Sequence, residues 1–373
     1  MTDIKKIVIT GGPCGGKSTA LSRIEKRFSS LGYHVMFASE TATDMITGGA
    51  VPWMGCNVEF QAALMTIQRK KEQVYAQWAA QSGCPRVLLV CDRGSLDNRA
   101  YMTGREFAKV AEMLGTNEIE LRDNYDAVFH LVTAANGAAQ FYTTANNTAR
   151  KESPAEAAAL DDKLVAAWTG HPHLRVIDNS TGFDEKISRL LGEIAGFLGV
   201  PEPYEIERKF LIVCPDLEML EKMQNCKKVD IIQTYLRPEG AGEEIRVRQR
   251  GAGGHYIFTE TLKKRVTDVK RIETERRLTR DEYLAMLMNA DTNLKQIRKT
   301  RYCLSFSNQY LEVDVYPFWK NKAILEVELT DENQKIIFPQ FLKIIKEVTG
   351  DERYFNRSLA EKIPEEDDED DKA

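Results

Sequence analysis

Short apolar runs recur through residues 1–199, and each is separated from the next by a stretch long enough for a helix. This pattern predicts a parallel β-sheet with helices on both faces, because parallel strands need long crossover connections. The runs are KKIVIT, HVMFAS, RVLLVCD, YDAVFHLV and HLRVID. We therefore expect an α/β domain in this part of the chain.

The pattern changes after Tyr204, where charged and apolar residues alternate along most of the runs. Alternation with a period of two predicts strands that have one charged face and one apolar face. The runs are EIERKFLIV, EIRVRQR, HYIFTETLKK, RIETERRL, LEVDVY and AILEVELT. We expect antiparallel β-structure here, with a helix near its end in the segment PQFLKIIKEV.

Two prolines within residues 200–203 disfavour helix and mark a linker between two domains of different class. The predicted domains are residues 1–199 and 204–362. Residues 363–373 form an acidic tail with seven consecutive acids, Glu365 to Asp371, and we expect this tail to be disordered and solubilising.

Composition narrows the class of protein. The chain has 373 residues, of which 43% are hydrophobic and 29% charged, which is an ordinary globular mixture. No apolar run approaches the roughly 20 residues of a membrane-spanning helix. Seven cysteines without a C-x-x-C pair favour a reducing, cytoplasmic environment, and the net charge of −5 argues against a nucleic-acid partner.

A phosphate-binding loop is predicted at the start of the chain. The segment GGPCGGKS matches G-x-x-x-x-G-K-[ST], and it lies between an apolar strand and a helix-compatible stretch, as that motif requires. Lys17 is expected to reach the β- and γ-phosphates and the Ser18 hydroxyl to bind Mg²⁺. The whole predicted phosphate cradle is Gly11, Gly12, Pro13, Cys14, Gly15, Gly16, Lys17, Ser18 and Thr19.

Four charged residues could serve the same loop. Asp92 ends the apolar run RVLLVCD, where a carboxylate that holds Mg²⁺ or its water would lie, and Arg93 follows it. Glu40 ends another run and is either an acceptor-side base or an acid at a helix N-terminus. Arg150 is a candidate lid arginine, although a solvated loop arginine fits the sequence nearly as well.

The first half resembles the NadR-like and nucleoside-kinase-like branch of P-loop proteins, the AAA-type ATPase or kinase domains. The resemblance covers about residues 5–198 and rests on GGPCGGKS, SETAT, CDRG and GHPHLRVIDN. It implies a kinase-like domain that binds ATP or GTP. The base preference and the phosphate acceptor stay open.

The second half places like charges two residues apart on single strand faces. A sheet with one solvated face is the ordinary explanation of alternating strands, but it gives no reason for paired like charges. A closed barrel with an inward charged face does, because carboxylates can gather around a cation and basic groups around a polyanion. The pairs are Glu205 and Glu207 with Lys209, Arg246 and Arg248, Glu273 and Glu275, Lys299 and Arg301, Glu312 and Asp314, and Glu326 and Glu328.

These motifs resemble the CYTH superfamily, the triphosphate tunnel metalloenzymes, whose hallmark E-x-E-x-K stands here as EIERK. The resemblance continues through IRVRQR, TLKK, IETE, RKTRY, LEVDV, LEVEL and RYFNRSLA, over about residues 204–362. It implies an eight-stranded antiparallel tunnel in which a triphosphate is held by Lys209, Arg246, Arg248, Lys263, Lys299 and Arg301. The implied ligands of Mg²⁺ or Mn²⁺ are Glu205, Glu207, Glu273, Glu275, Glu312, Asp314, Glu326 and Glu328.

The implied chemistry is attack of metal-oriented water on a terminal phosphorus of tripolyphosphate or an organic triphosphate. Glu205, Glu207 and Lys209 would take part in it, and Lys17 and Asp92 would act in the first domain. Other members of the superfamily cyclise ATP. The two-domain order resembles a family of insect photoreceptor proteins, which implies GTP binding by the first domain and binding of phosphatidic acid or phosphoinositide by the second. All three interpretations stay open.

Overall fold

The computed structural model describes residues 2–137, 153–200, 206–238, 243–265, 271–329 and 334–364. The chain divides into two compact units. The first is Met1–Ile206 with Ser305–Tyr310 and Leu329–Lys335, and the second comprises Glu207–Leu304, Leu311–Glu328 and Ile336–Ala373. Most of the predicted linker, the acidic run Glu365–Asp371, and the candidate residues Arg150 and Glu205 lie outside the described residues.

The first unit is built on a parallel five-stranded sheet, as the alternating apolar runs predicted. Its strand order is β2-β3-β1-β4-β5, so the first strand lies at the centre. The strands are β1 (Asp3–Thr10), β2 (His34–Ala38), β3 (Arg86–Asp92), β4 (Ala127–Leu131) and β5 (Leu174–Ile177).

Helices connect these strands, and three of those described begin at a side chain that caps them. Ser153 accepts a hydrogen bond from the backbone N–H of Glu156, whose carboxylate in turn accepts from Ser153, and Pro154 occupies the first helical position. Among the described residues, no helix combines the length and apolar character needed to cross a membrane. The helices are α1 (Lys17–Ser30), α2 (Thr41–Thr47), α3 (Asn57–Gln81), α4 (Gly104–Met113), α5 (Glu118–Arg122), α6 (Pro154–Trp168) and α7 (Phe183–Phe197).

The core of the first unit lies between the sheet and helices α1 and α7. Ile7 and Ile9 of β1 pack in one cluster with Phe28 of α1 and with Leu190 and Ile194 of α7, and all five side chains are fully buried. At about 25 cal/mol per Å² of apolar surface, each contributes roughly 2 kcal/mol. The central strand and the helix after it are therefore firmly held, which fixes the loop that joins them.

The second unit is built on a large antiparallel sheet, again as the alternation predicted. Within the described residues the sheet has nine strands, in the order β10-β9-β8-β7-β11-β12-β13-β6-β14. The strands are β6 (Ile206–Val213), β7 (Cys226–Leu236), β8 (Glu243–Ala252), β9 (His255–Arg265), β10 (Arg271–Leu278), β11 (Ile297–Phe306), β12 (Gln309–Val315), β13 (Lys322–Leu329) and β14 (Ile344–Glu347). Short helices α8 (Leu217–Lys222), α9 (Arg280–Met286) and α10 (Asn356–Glu361) complete this part of the chain.

The predicted helix in PQFLKIIKEV is wrong, because the segment contributes the edge strand β14 instead. Ile344 lies opposite Ile212 of β6, and Glu347 lies opposite Phe210. The consecutive β-branched Ile344 and Ile345 favour an extended backbone, and pairing with an otherwise open strand edge outweighs the weak helical periodicity. This strand brings the sheet to nine strands where eight were predicted.

Candidate functional site

The loop between β1 and α1 is shaped by glycines that no other residue could replace. Gly16 has a backbone φ of +97° at the start of α1, a conformation that favours glycine. A Cβ atom on Gly11 would lie 2.1 Å from the carbonyl oxygen of Leu131, and one on Gly15 would lie 2.6 Å from the same atom. The loop therefore runs directly against the end of β4, with its backbone held for a close approach to an anion.

Asp161 of α6 braces this loop from the side. Its carboxylate accepts hydrogen bonds from the backbone N–H of Gly12 (2.6 Å) and of Thr133 (3.2 Å), and it lies 3.0 Å from Nε2 of His130. Burial acts to raise the pKa of Asp161, but the contact with His130 and the N–H donors outweigh it and lower that pKa. Sequence reasoning missed this residue, although an acid on the apolar face of a helix was a usable signal.

Lys17 opens α1 and sits among charged groups. Burial and, next, the neighbouring Arg93 lower the pKa of Lys17 to about 8, although Asp92 and Glu40 act in the opposite direction. A phosphate bound at the loop would stabilise the protonated amine. A bound phosphate would therefore raise the pKa of Lys17 again.

Asp92 ends β3, directly beside Ile9 at the end of β1. Burial raises its pKa, and its Oδ1 atom is buried without a hydrogen-bond partner among the described residues. A buried carboxylate oxygen needs a partner, and a hydrated Mg²⁺ ion would supply one. The position of Asp92 thus fits the expected magnesium site, to which the exposed Ser18 would add its hydroxyl.

Arg93 turns back toward the same edge with a positive φ of +69°. Its Nε atom donates to Glu40 across 2.5 Å, and its Nη1 atom lies 3.9 Å from Asp97. Burial acts to raise the pKa of Glu40, but Arg93 and then Lys17 outweigh it and lower that pKa. Glu40 therefore serves to hold Arg93 in this structure, which favours an anchoring role over that of a free base.

In the second unit, charged side chains gather around Arg301 of β11. Its guanidinium donates to both oxygens of Asp314 at 2.6 Å, to Glu326 at 2.5 Å, and to Glu312. Asp314 is 0% exposed, and Glu312 and Glu326 are also buried. The predicted residues of β11, β12 and β13 thus form one buried ionic cluster.

Two lysines join this cluster. Lys209 of β6 lies 3.0 Å from Glu326 and 3.4 Å from Glu207, and Lys299 donates to Asp314. Burial lowers the pKa of Lys299, and Arg301 adds to this effect. For Lys209 burial acts in the same direction, but the charges of Glu326 and Glu207 outweigh it and raise that pKa.

A second group of basic residues lies on one face of β8. Arg246 and Arg248 lie opposite Thr261 and Thr259 of β9. Burial and, next, the charge of Arg246 lower the pKa of Arg248 to about 10, so Arg248 stays protonated at neutral pH although its charge is incompletely balanced. Arg250 follows at the same spacing and is buried too. Sequence reasoning missed Arg250, which the period of two could have included.

The remaining predicted residues lie on neighbouring strands. Glu275 of β10 accepts a hydrogen bond from Thr261 at 3.1 Å, and Glu328 of β13 is two residues from Glu326 on the same face. Glu273 and Lys263 are register partners on β10 and β9. Their side chains lie outside the described part of the structure.

The charged groups of the second unit are mostly paired with each other rather than gathered as bare carboxylates. Across the described residues, no group of three or more His, Cys, Asp or Glu side chains is placed to hold a metal ion. The cause is visible at Arg301, because Glu312, Asp314 and Glu326 all turn toward its guanidinium. As they stand, these three acids do not fit a metal.

The strand faces that carry the charges become apolar at one end. Two residues beyond Lys209, Lys299 and Asp314, the same faces carry Leu211, Ile297 and Tyr316. These pack in one cluster with Tyr354 and Leu359 near the carboxyl end of the unit. The charged face is thus bounded by a packed aromatic and aliphatic layer.

The opposite faces of the same strands are also covered. Val313 of β12 and Leu325 and Val327 of β13 are fully buried. Since the charged residues of these strands are buried as well, neither face of this part of the sheet is open to bulk water.

Both halves of the chain are similar to known proteins. Residues 6–186 match the family model of the AAA domain. An inorganic triphosphatase from Nitrosomonas europaea is 33% identical over an alignment of 173 residues that covers 43% of this chain and 99% of that protein.

Solved structures give related matches. A crystal structure of an inorganic triphosphatase is 31% identical and covers 43% of this chain and 97% of its own, with a TM-score of 0.31. A protein from Pyrococcus horikoshii is 22% identical and covers 35% of this chain and 80% of its own, with a TM-score of 0.26. This chain is 33% identical to the Nitrosomonas europaea inorganic triphosphatase over nearly all of that protein, and it therefore belongs to the same family.

Proposed function

We propose that the second unit is a metal-dependent triphosphatase whose charged strand faces line an enclosed tunnel. The observation that carries this proposal is the cluster around Arg301, in which Lys209, Lys299 and three acids meet at buried positions of four strands. Because a buried ion-pair cluster contributes little net stability, its presence here favours a functional role over a purely stabilising one. Relationship to an inorganic triphosphatase supports a polyphosphate as that ligand.

The charges suggest how such a substrate would be held. Arg246 and Arg248 would contact the phosphates, because burial and the neighbouring charge of Arg246 lower the pKa of Arg248 and a bound anion would stabilise its charge. Phosphate oxygens would compete with Glu312, Asp314 and Glu326 for Arg301, whose planar guanidinium suits both groups. The basic side chains would neutralise charge that develops on the leaving phosphate.

A divalent cation, Mg²⁺ or Mn²⁺, would supply an oriented water and further charge neutralisation. The residues proposed to hold it are Glu205, Glu207, Glu273, Glu275 and Glu328. Glu312, Asp314 and Glu326 could join them only after releasing Arg301 to the substrate. Substrate and metal would therefore bind cooperatively.

Release of inorganic phosphate from tripolyphosphate tests this function in the full chain. Lys209→Ala should reduce the rate at least 100-fold, since it removes a buried cation beside the substrate. Arg208→Ala is the matched control, because Arg208 neighbours Lys209 but pairs with Glu347 at the surface, and it should retain the rate within about twofold. Equal rates in the two variants would contradict the proposal.

For the first unit we propose Mg²⁺-dependent binding of ATP or GTP at the glycine loop, in a kinase-like or NTPase role. Support comes from the AAA-domain match, the lowered pKa of Lys17 at the start of α1, and the oxygen of Asp92 that has no hydrogen-bond partner among the described residues. Lys17→Ala should abolish this binding in calorimetric titrations with ADP while leaving tripolyphosphate hydrolysis unchanged. Loss of hydrolysis in that variant would place both activities in one site.

Two alternative functions are compatible with the same fold, and they can be distinguished by the ligand that is bound or the product that is formed. The resemblance to the insect photoreceptor translocation-defect protein favours GTP-regulated binding of phosphatidic acid or phosphoinositide, and the superfamily resemblance includes nucleotide cyclases. Nucleotide-dependent binding to liposomes without phosphate release would favour the first. Formation of cyclic AMP from ATP would favour the second.

A further inference from the structure

An exposed aromatic ring lies against the glycine loop. Phe183 opens α7, and 49% of its surface is exposed, an unusual fraction for a phenylalanine. A Cβ atom built on Gly16 would lie 2.7 Å from Cε2 and 3.2 Å from Cζ of this ring. The ring therefore lies against the backbone at the start of α1, beside the predicted phosphate cradle.

The strand order of the sheet indicates which end of a bound nucleotide would lie near the Phe183 ring. β1 is central, with β3 and β2 on one side and β4 and β5 on the other. Lys17, Asp92 and Arg93 mark the β3 side as the end where the metal and the terminal phosphate belong. Phe183 follows β5, so it lies on the opposite side, toward which the ribose and base of the same nucleotide would extend.

Polar side chains in the loop after β5 are used to hold the loop itself. Asn179 donates to the carbonyl oxygens of Thr133 (2.8 Å) and Asn136 (2.6 Å), and it accepts from Lys186 (2.8 Å). Asp178 lies 2.9 Å from Arg189. These contacts hold the loop after β5 in place and use the amide nitrogen of Asn179 for two backbone carbonyls.

We propose that Phe183 is the stacking platform for the purine base of the nucleotide bound at the glycine loop. A half-exposed ring at the start of a helix offers a flat apolar surface, and every base presents a π-face to it. Stacking does not distinguish adenine from guanine, so ADP and GDP gain equally from the ring. This inference rests on the proposed nucleotide binding by the first unit.

The test compares ligands with and without a base. Binding of ADP, GDP and pyrophosphate with Mg²⁺ is measured by calorimetry on the full chain, and the part that Lys17→Ala removes is assigned to the glycine loop. Phe183→Ala should lower the affinities for ADP and GDP about tenfold, as expected for the loss of one base-stacking contact. The affinity for pyrophosphate should change by less than about twofold. Phe183→Leu should behave in the same way, and Phe183→Trp should retain all three affinities.

The outcomes separate this inference from the function on which it rests. If Lys17→Ala does not weaken ADP, nucleotide binding at the loop is wrong. If Lys17→Ala abolishes ADP binding but Phe183→Ala and Phe183→Leu retain it, the stacking role alone is wrong. An equal loss for pyrophosphate, or a loss confined to one of the two nucleotides, would also overturn the stacking role.

Discussion

Replacement of Arg301 by Met should strongly destabilise the second unit. The substitution keeps the length of an unbranched side chain but removes a guanidinium that contacts Glu312, Asp314 and Glu326. Lys299 still pairs with Asp314 and Lys209 with Glu326, whereas Glu312 loses its hydrogen-bond partner among the described residues.

Removal of one partner from a buried ion pair costs about 3–5 kcal/mol, since the other charge stays buried. For a unit of this size each kcal/mol lowers the melting temperature by roughly 2–4 °C, so we expect a loss of about 10 °C. Scanning calorimetry measures it in the transition of the second unit. Arg298→Met is the control, because Arg298 lies on the same strand but is exposed, and it should change the transition by less than about 2 °C.

The pH dependence gives this prediction a second readout. Burial acts to raise the pKa of Glu326, but the charges of Arg301, Lys299 and Lys209 outweigh it and lower that pKa. Its ion pairs therefore stabilise the fold above the unfolded-state pKa of about 4.3, and this contribution is lost as the pH falls through the folded value.

Without Arg301 the carboxyl group protonates at a higher pH. The difference between wild type and variant should thus be full near pH 7 and shrink as the pH falls below about 4.3, the unfolded-state pKa. A loss no greater than that of Arg298→Met, or one that is independent of pH, would refute a cluster held together by Arg301.

Three further predictions concern the glycine loop. The affinity for ADP should fall about tenfold per pH unit above pH 8, because Lys17 in the free protein loses its proton there and must regain it on binding. Isothermal titration at several pH values should show no such fall for Lys17→Arg. An affinity of the wild type that does not change with pH would contradict this prediction. Asp161→Asn should lower the free energy of unfolding, measured in urea, by about 2–3 kcal/mol, since a charged acceptor for the N–H groups of Gly12 and Thr133 is lost. The affinity for ADP should fall as well. An unchanged free energy of unfolding would exclude a bracing role for Asp161. Asp92→Asn should reduce the enhancement of ADP affinity by Mg²⁺ about tenfold without affecting metal-free binding, and an unaltered enhancement would remove Asp92 from the metal site.

Local sequence patterns were sufficient for the sheets of both units. Each predicted apolar run of the first half corresponds to one strand of the sheet, and the loop motif lies between β1 and α1 as its context required. The period of two correctly gave antiparallel strands with charged residues on one face. These features depend on side chains a few residues apart, which a single sequence contains directly.

Contacts between distant segments were beyond the reach of those patterns. Asp161 accepts a hydrogen bond from Gly12, which is 149 positions away in the sequence, and the residues around either position do not predict this contact. The sequence after Pro339 predicts a helix, but in the structure Ile344 pairs with the edge of β6 and the segment forms a strand. The pairing of Arg301 with three acids likewise depends on which strands become neighbours, so the sequence predicted the residues of the cluster but not their partners.

An experimental structure of the chain with a non-hydrolysable triphosphate analogue and Mg²⁺ would test the central claim most directly. The account predicts the analogue on the charged faces of the second unit, with phosphate oxygens about 3 Å from nitrogen atoms of Lys209, Arg248 and Arg301. An analogue found only at the glycine loop, or at the surface beside Arg208 and Arg298, would contradict it.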